Sequence, residues 1–179
     1  ILAGTIENIS IERIREELFK LLVSPNPSYG VNLLLNTGLM KFVLPELMKT
    51  VDFPQNNPYH NMDVYKHTLC VLEKCPPLLH VRLAALFHDI GKPYCYTEDA
   101  EGIGHFYGHD EKSVEIVVRT LKRLKSSNKL IKKVSQLVEY HMKYYKENQR
   151  EKIKKLIGEI GKDNIFDLLS LQKADAMCK

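Results

Sequence analysis

An imidazole and a carboxylate stand side by side at His88 and Asp89, directly after an almost unbroken apolar stretch that runs from Val81 to Phe87. Apolar residues cover every side of the helix that this stretch predicts, which is typical of an element packed on all faces. Burying the polar pair would cost on the order of several kcal/mol unless hydrogen bonds, a partner charge or a metal ion compensated for it. The pair therefore indicates a metal site, although a His-Asp dipeptide alone is a weak motif.

The residues from Gly91 to Pro93 predict how this helix ends. Gly91 can take the left-handed conformation that is common after a helix, and Pro93 cannot continue one. The turn would place Lys92 beside the His-Asp pair, where a cation can neutralise charge that develops on phosphoryl oxygens. Asp89 and Lys92 are accordingly the candidate catalytic residues, and a surface lysine is the alternative for Lys92.

A metal site also needs ligands from other helices that point into the same core. His67 fits this requirement because two valines lie one helical turn away on the same face. Asp175 falls on the stripe of Leu168 and Leu171 in the last predicted helix. A carboxylate on a core face is rare unless it is paired, so Asp175 is a strong candidate ligand.

Two more histidines extend the candidate ligand set. His141 continues an apolar stripe, and His109 opens a predicted helix. Taken singly, each is more typical of a core histidine whose ring N–H donates to a backbone carbonyl. Together with the other inward-facing groups they favour a larger cluster. We place His60 and His105 outside the ligand set, as residues that support the ligands or contact substrate, and His80 on the surface.

The spacing resembles the HD superfamily of metal-dependent phosphohydrolases, whose pattern is one histidine, then His-Asp, then a distant aspartate. The matching positions are His67, His88, Asp89 and Asp175. Segments 59–69, 88–93, 105–113 and 173–176 are similar to the HD region of tRNA nucleotidyltransferases, a family that includes CCA-adding enzymes and poly(A) polymerases. Segment 9–18 resembles the neck helix that precedes that region; as a plain pattern it is an amphipathic helix with Ser10 as its N-cap.

The resemblance implies two parts, a small helical neck over 1–55 and an HD phosphohydrolase domain over 56–179. The nucleotide-adding head of that family needs a Gly-rich phosphate-binding segment and paired carboxylates, and no Asp-x-Asp occurs in this chain. We therefore expect no nucleotide addition from this chain alone. Whether it is a fragment of a larger nucleotidyltransferase or a stand-alone protein stays open.

The resemblance further implies hydrolysis of small phosphomonoesters or 2′,3′-cyclic phosphodiesters. Imidazole and carboxylate ligands that leave coordination positions open hold water, lower its pKa and present it to phosphorus. Asp89 could bridge two ions, with His67, His88 and Asp175 on one and His109 and His141 on the other, whereas one ion requires only four ligands. The histidines favour Mn, Fe, Co, Ni or Zn, and the resemblance admits Mg or Ni.

A basic stretch suggests a second function. No acidic residue occurs between Glu115 and Glu139, and such a patch favours a polyanion such as tRNA. The candidate RNA-binding residues are Arg119, Lys122, Arg123, Lys129, Lys132 and Lys133. A solvated helix face is the simpler alternative, since the net charge is only +4. The competing hypotheses are a non-catalytic neck-and-body module that positions tRNA, and a purely structural helical oligomerisation piece.

The pattern predicts an all-α bundle with one small hairpin, formed by 94–97 and 104–107, over the site. The predicted helices are 10–23, 29–37, 45–50, 62–75, 78–90, 109–125, 129–145, 149–160 and 163–177. The four cysteines show no Cys-x-x-Cys spacing, so we expect isolated thiols and a reducing compartment. No apolar run approaches a membrane span, and the expected location is cytoplasmic. The sequence does not fix the oligomeric state.

Overall fold

The computed structural model describes residues 3–56, 62–146 and 148–179 of the chain. Within these ranges the chain is a mainly helical bundle with one two-stranded hairpin, which confirms the predicted all-α class. The α-helices are α1 (Ile11–Val23), α2 (Pro27–Asn36), α3 (Met40–Val43), α4 (Val64–Lys74), α5 (Leu79–Phe87), α6 (Lys92–Cys95), α7 (His109–Arg123), α8 (Asn128–Tyr140), α9 (Arg150–Ile160) and α10 (Lys162–Met177). Ala3–Asn8 and Pro45–Thr50 are 3-10 helices, and the strands are β1 (Thr97–Glu98) and β2 (Gly104–His105).

Helix α5 occupies the centre of the bundle, as its apolar sequence predicts. Every residue from Val81 to Phe87 is buried. The helix packs against α1, α4, α8 and α10. Its C-terminal end carries His88 and Asp89, which are therefore buried.

Arg82 is the one charged residue within the apolar stretch of α5, and its guanidinium is buried. It donates to the backbone carbonyls of Leu22 (2.7 Å) and Ser24 (2.6 Å), at the end of α1. It also donates to the carbonyl of Cys75, at the end of α4. The last carbonyls of a helix lack partners within the helix and attract cations, so Arg82 holds two neighbouring helix ends against α5.

The start of α1 follows from local sequence. The Ser10 side chain accepts from the backbone N–H of Arg13, as predicted for an N-cap. Leu18 and Leu22 form the buried stripe of the helix. Helix α1 packs on α5, and α2 packs on α4. The division into 1–55 and 56–179 stays a prediction.

One predicted helix, 129–145, is too long by about a turn, because α8 ends at Tyr140. The amide of Gln172, from α10, donates to the backbone carbonyls of Tyr140, His141 and Lys143 at 3.1–3.4 Å. This side chain satisfies the carbonyls that a continuing helix would use. A partner that is distant in sequence therefore ends the helix, and local pattern could not reveal it. The sequence prediction also missed Ala3–Asn8, α3 and α6.

The prediction that Gly91 adopts the left-handed conformation is wrong, because its φ is −77°. Its lack of a side chain serves packing instead. A Cβ at this position would lie 2.4 Å from the carbonyl oxygen of His109 and 2.8 Å from the backbone nitrogen of Ser113. Pro93 does not end the helix either; it lies in the first turn of α6, where a missing N–H is tolerated. Gly91 thus lets α7 contact the turn that carries the His-Asp pair.

The expectation that all four cysteines are isolated is wrong. Cys70 in α4 and Cys178 at the end of α10 form a disulfide, with Cα atoms 5.9 Å apart, whereas Cys75 and Cys95 are free. The packing of α10 on α4 brings together two residues that are 108 positions apart in sequence. The inference of a reducing compartment rested on isolated cysteines and loses that support.

The predicted hairpin is present in a shorter form. Strands β1 and β2 pair antiparallel, with Thr97 opposite His105 and Glu98 opposite Gly104. Tyr94 and the residue after it belong to α6 instead. Among the described residues, no helix is long and apolar enough to cross a membrane.

Candidate metal centre

Four histidine rings converge at the inner end of α5, and each has one ring nitrogen on a backbone carbonyl. These Nδ1 contacts are His67 to Cys178 (3.3 Å), His88 to Ala85 (2.8 Å), His109 to Phe106 (2.8 Å) and His141 to Val138 (2.6 Å). A carbonyl oxygen only accepts, so each Nδ1 carries a proton, and each Nε2 is left to face the carboxylates or, once it is deprotonated, to bind a metal ion. Histidines that bind metals are commonly fixed in this way, with one nitrogen tied to protein and the other free for the ion.

The carboxylate of Asp89 lies between two pairs of these rings. Its Oδ2 is 3.2 Å from Nε2 of His88 and 3.5 Å from Nε2 of His67. Its Oδ1 is 3.4 Å from Nε2 of His109 and 3.7 Å from Nε2 of His141. The two oxygens of one carboxylate therefore face two separate histidine pairs.

Asp175 joins the first of these pairs. Its Oδ1 is 3.0 Å from Nε2 of His67 and 3.9 Å from Nε2 of His88. Its other oxygen accepts from the Tyr144 hydroxyl (3.2 Å) and contacts the Lys179 ammonium (3.1 Å). The distant aspartate thus reaches the His-Asp pair, and the six candidate ligands form one cluster.

The cluster is deeply buried, since its members are 0–8% exposed. Burial alone would raise the pKa of Asp89, but the charges of His88 and Lys92 and hydrogen bonds from the other histidines hold that pKa well below its ordinary value. Burial opposes ionisation of Asp175 as well, and a hydrogen bond from His67 outweighs it and lowers the pKa of Asp175. Both carboxyl groups are therefore ionised at neutral pH.

The two carboxylates in turn affect the pKa values of the histidine rings. Burial would lower the pKa of His88, but the charges of Asp89 and Asp175 outweigh burial and raise that pKa. At His141 the effect of burial exceeds that of the hydrogen bond with Asp89, and the pKa of His141 is lowered. His88 therefore holds its second proton more readily than an ordinary histidine does, and His141 less readily. A side chain must be deprotonated at the nitrogen or oxygen that binds a metal ion. The two carboxylates already are, and a protonated histidine would release its proton when the ion binds.

The contacts between the rings test whether a metal ion fits. The Nε2 atoms of His67 and His88 are 3.3 Å apart, and those of His109 and His141 are 3.4 Å apart. Two facing lone pairs repel unless a proton or a metal ion lies at them. Ligand atoms of His67, His88 and Asp89 lie within 4.8 Å of one another, as do those of Asp89, His109 and His141. The donor set therefore fits a divalent ion at each of two positions.

Lys92 is buried at the same centre, not exposed at the surface. Its ammonium contacts Oδ2 of Asp89 and donates to Oε1 of Gln55, both at 2.7 Å. The Phe106 ring lies 5.2 Å from the ammonium. Neither Gln55 nor Tyr144 belongs to a recognisable spacing, and both act through a neighbour, so the sequence gives no signal for their roles.

Of the remaining histidines, His105 and His80 lie away from the cluster. His60 lies outside the described residues. His105 is in β2 and bonds Asp99 at 2.8 Å instead of any ligand. His80, which we expected at the surface, is half-buried and bonds Asp167 at 2.8 Å.

A cavity of about 510 Å³ opens beside Asp89 and connects the cluster to the exterior. Asp89, Asp175 and His109 of the cluster are among the residues that line it. The segment 104–108, which includes β2, lines it as well. The hairpin thus forms a wall of the cavity, in agreement with its predicted position over the site.

The predicted RNA-binding residues fall into two groups. Arg119, Lys122, Lys129 and Lys132 are exposed, and none makes an ion pair among the described residues. Arg123 instead pairs with Glu46 at 3.0 Å, and Lys133 pairs with Asp167 at 3.0 Å. Only the first group presents uncompensated positive charge to a partner.

Comparisons with known proteins agree with this geometry. Residues 60–176 match the family model described as HD domain, and residues 2–50 match the model described as probable RNA and SrmB-binding site of polymerase A. The chain is 34% identical to the CC-adding tRNA nucleotidyltransferase of Thermus thermophilus over 93% of its length and 39% of that protein's. It is 35% identical to the A-adding tRNA nucleotidyltransferase of Deinococcus radiodurans over 78% of its length and 33% of that protein's. The chain therefore spans well under half the length of these relatives.

The contact at Gly91 gives a test of how the cluster is assembled. Gly91→Ala should destabilise the protein by about 1–3 kcal/mol, because the new methyl group would push α7 and His109 away from Asp89. The control is Gly158→Ala in α9, where a Cβ would meet nothing within 4 Å. That change should stabilise the helix by about 0.5–1 kcal/mol. Urea unfolding measures both, and a Gly91→Ala variant as stable as the wild type would contradict the close approach.

Proposed function

The chain belongs to the HD-domain family, and we propose that it is a metal-dependent phosphohydrolase that cleaves small phosphomonoesters or 2′,3′-cyclic phosphodiesters. The observation that carries this proposal is the position of Asp89, whose two oxygens face two sets of imidazole nitrogens. Such an arrangement can hold two ions that share one carboxylate. Paired ions of this kind recur in phosphatases and nucleases.

Each candidate ligand has a distinct part in the proposal. His67, His88 and Asp175 would hold one ion, His109 and His141 the other, and Asp89 would contact both. A bound divalent ion of this kind polarises a phosphoryl oxygen and lowers the pKa of water that it binds, which supplies the nucleophile. The imidazoles favour Mn, Fe, Co, Ni or Zn over an all-oxygen Mg site, although Mg fits two carboxylates with added water.

Lys92 supplies fixed positive charge at the cavity end where the phosphate would lie. Gln55 accepts from its ammonium, so the cation is held in place and buried instead of extending into water. A buried, oriented cation stabilises charge on phosphoryl oxygens more strongly than a solvated one. We therefore assign Lys92 to stabilisation of the developing charge, alongside the ions.

Tyr144 has a positioning role. Burial and the charge of Asp175 raise the pKa of its hydroxyl, which therefore keeps its proton. The hydroxyl donates to Oδ2 of Asp175 and leaves Oδ1 directed at His67. Tyr144 fixes the orientation of a ligand and does not act as a base.

The proposal predicts hydrolysis that depends on the cluster. Protein supplied with Mn²⁺ should hydrolyse p-nitrophenyl phosphate or adenosine 2′,3′-cyclic phosphate, and a chelator should abolish turnover. His88→Ala should lower kcat/KM by more than about a hundredfold, since loss of a ligand exceeds the effect of losing a group that merely orients one. His80→Ala is the matched control, because His80 bonds Asp167 outside the cluster, and it should keep wild-type activity. Turnover by chelated wild type or by His88→Ala at the untreated wild-type rate would contradict the proposal.

A second candidate function is a neck-and-body module that positions tRNA, without catalysis or alongside it. The exposed, unpaired group of Arg119, Lys122, Lys129 and Lys132 favours it, and so does the match of residues 2–50 to an RNA-binding model. Lysines and arginines that neutralise phosphates release counterions and supply sequence-independent affinity. The curated relatives act on tRNA by name, which makes tRNA the natural probe.

Reversal of two of these charges tests the tRNA proposal. Lys122→Glu/Lys132→Glu should weaken tRNA binding and reduce the dependence of log K on log salt by about 2, or about 1 per lost phosphate contact. Lys74→Glu/Lys162→Glu makes the same change of net charge on other exposed lysines and should have a smaller effect. Filter binding over a range of salt concentrations measures both. Equal losses of tRNA affinity in the two double variants would show that only the net charge matters and would rule out this surface as the tRNA contact.

A further inference from the structure

Tyr107 presents an aromatic ring to solvent at the mouth of the cavity. It is the second residue after β2, lines the cavity and is 78% exposed. Its neighbour Phe106 is half-buried and packs on Tyr96 with ring centroids 5.6 Å apart, so it is accounted for by packing. The packing of the fold leaves most of the Tyr107 ring uncovered, and an aromatic ring at a cavity mouth offers a flat surface for a ligand.

The exposed ring is held in place from behind. It stacks on His105, with centroids 5.3 Å apart and an interplanar angle of 8°. His105 is itself fixed by Asp99, whose Oδ2 accepts from its Nε2 at 2.8 Å. Oδ1 of Asp99 accepts from the backbone N–H groups of Glu101 and Ile103. We call the ring of Tyr107, stacked on His105, the platform. These contacts order the platform before any ligand binds, which lowers the entropy lost on binding.

The platform is also tied to the metal-binding end of the cavity. The Gly104 N–H donates to the carbonyl of Asn56 at 2.7 Å, and a Cβ at Gly104 would lie 2.4 Å from the carbonyl oxygen of Gln55. The Gln55 side chain in turn accepts from Lys92. One short chain of contacts therefore connects the hairpin to the cation beside Asp89, so the distance between the two ends is fixed.

The cavity has room for more than a phosphate group. Its volume of about 510 Å³ lies in the range of pockets that enclose whole small-molecule ligands. Its lining includes Asp89 and His109 of the cluster and the exposed ring of Tyr107. A ligand that fills it has a phosphate for the cluster and a flat apolar group for this ring.

We propose that Tyr107, backed by His105, stacks on the planar base of a nucleoside phosphate whose phosphate lies at the Asp89 end, and so selects nucleotides over phosphate esters without a base. The phosphate end of this inference rests on the proposed hydrolase function. Base stacking on an aromatic ring tolerates every base, because each base has a π-face. Tyr107 is thus a specificity residue for the presence of a base and not for its identity.

A paired substrate experiment separates this role from a structural one. The substrates are adenosine 2′,3′-cyclic phosphate and glycerol 1,2-cyclic phosphate, which share the five-membered cyclic diester but differ in the base. Tyr107→Leu should lower kcat/KM for the adenosine substrate by at least about fivefold and leave the glycerol substrate unchanged. Tyr107→Phe keeps the ring and should retain the wild-type ratio. Equal losses on both substrates, or no loss on either, would overturn the role of Tyr107.

A binding measurement distinguishes failure of this inference from failure of the hydrolase proposal. Calorimetry with adenosine 3′-monophosphate and ribose 5-phosphate, in the presence of Mn²⁺, requires no turnover. If the wild type hydrolyses neither diester but binds the adenosine compound at least about fivefold more tightly than Tyr107→Leu does, the platform stands and the hydrolase proposal falls. If both diesters are hydrolysed at rates and affinities independent of Tyr107, the hydrolase proposal stands and the platform falls. Absence of adenosine binding by the wild type also overturns the platform.

Discussion

The ionised carboxylate of Asp89 lies in the centre of this bundle, and the surrounding elements must compensate its charge from every side. An unpaired buried charge costs on the order of several kcal/mol even after local relaxation. Asp89 meets this constraint with Lys92 on one oxygen and with imidazoles on both. Those partners come from α4, the end of α5, α6, α7 and the end of α8, so the packing of these helices determines how the charge of Asp89 is compensated.

Several interactions outside the cluster serve the same assembly. Arg82 joins the ends of α1 and α4 to α5. Gln172 ends α8 where His141 must turn inward, and it comes from the helix that carries Asp175. The Cys70–Cys178 disulfide joins α4 to the end of α10, next to the carbonyl that orients His67. Each contact fixes one ligand-bearing segment relative to another, which the centre needs because ligands tolerate displacements of only a few tenths of an ångström.

How much the sequence could predict depends on whether the signal was local. The central helix, the N-cap at Ser10 and the inward faces of His67 and Asp175 follow from periodicity and were placed correctly. The end of α8, the disulfide and the steric role of Gly91 depend on partners far away in the chain, so local sequence patterns do not predict them. The partners Gln55 and Tyr144 were missed for the same reason, since each contributes through the residue that it holds and not through a motif. The resemblance to the HD superfamily added that four of the candidate ligands, His67, His88, Asp89 and Asp175, belong to one pattern.

The central claim is that Asp89 is shared by two ion positions, and the metal content of the protein tests it most directly. Elemental analysis after dialysis against Mn²⁺ and removal of free ion should give about two ions per chain for the wild type and about one for His109→Ala/His141→Ala, since the first set of ligands survives that change. Asp89→Ala should retain neither. A wild-type protein that keeps no ion, or an ion content that is the same in all three proteins, would contradict the account and leave the cluster as a buried polar network.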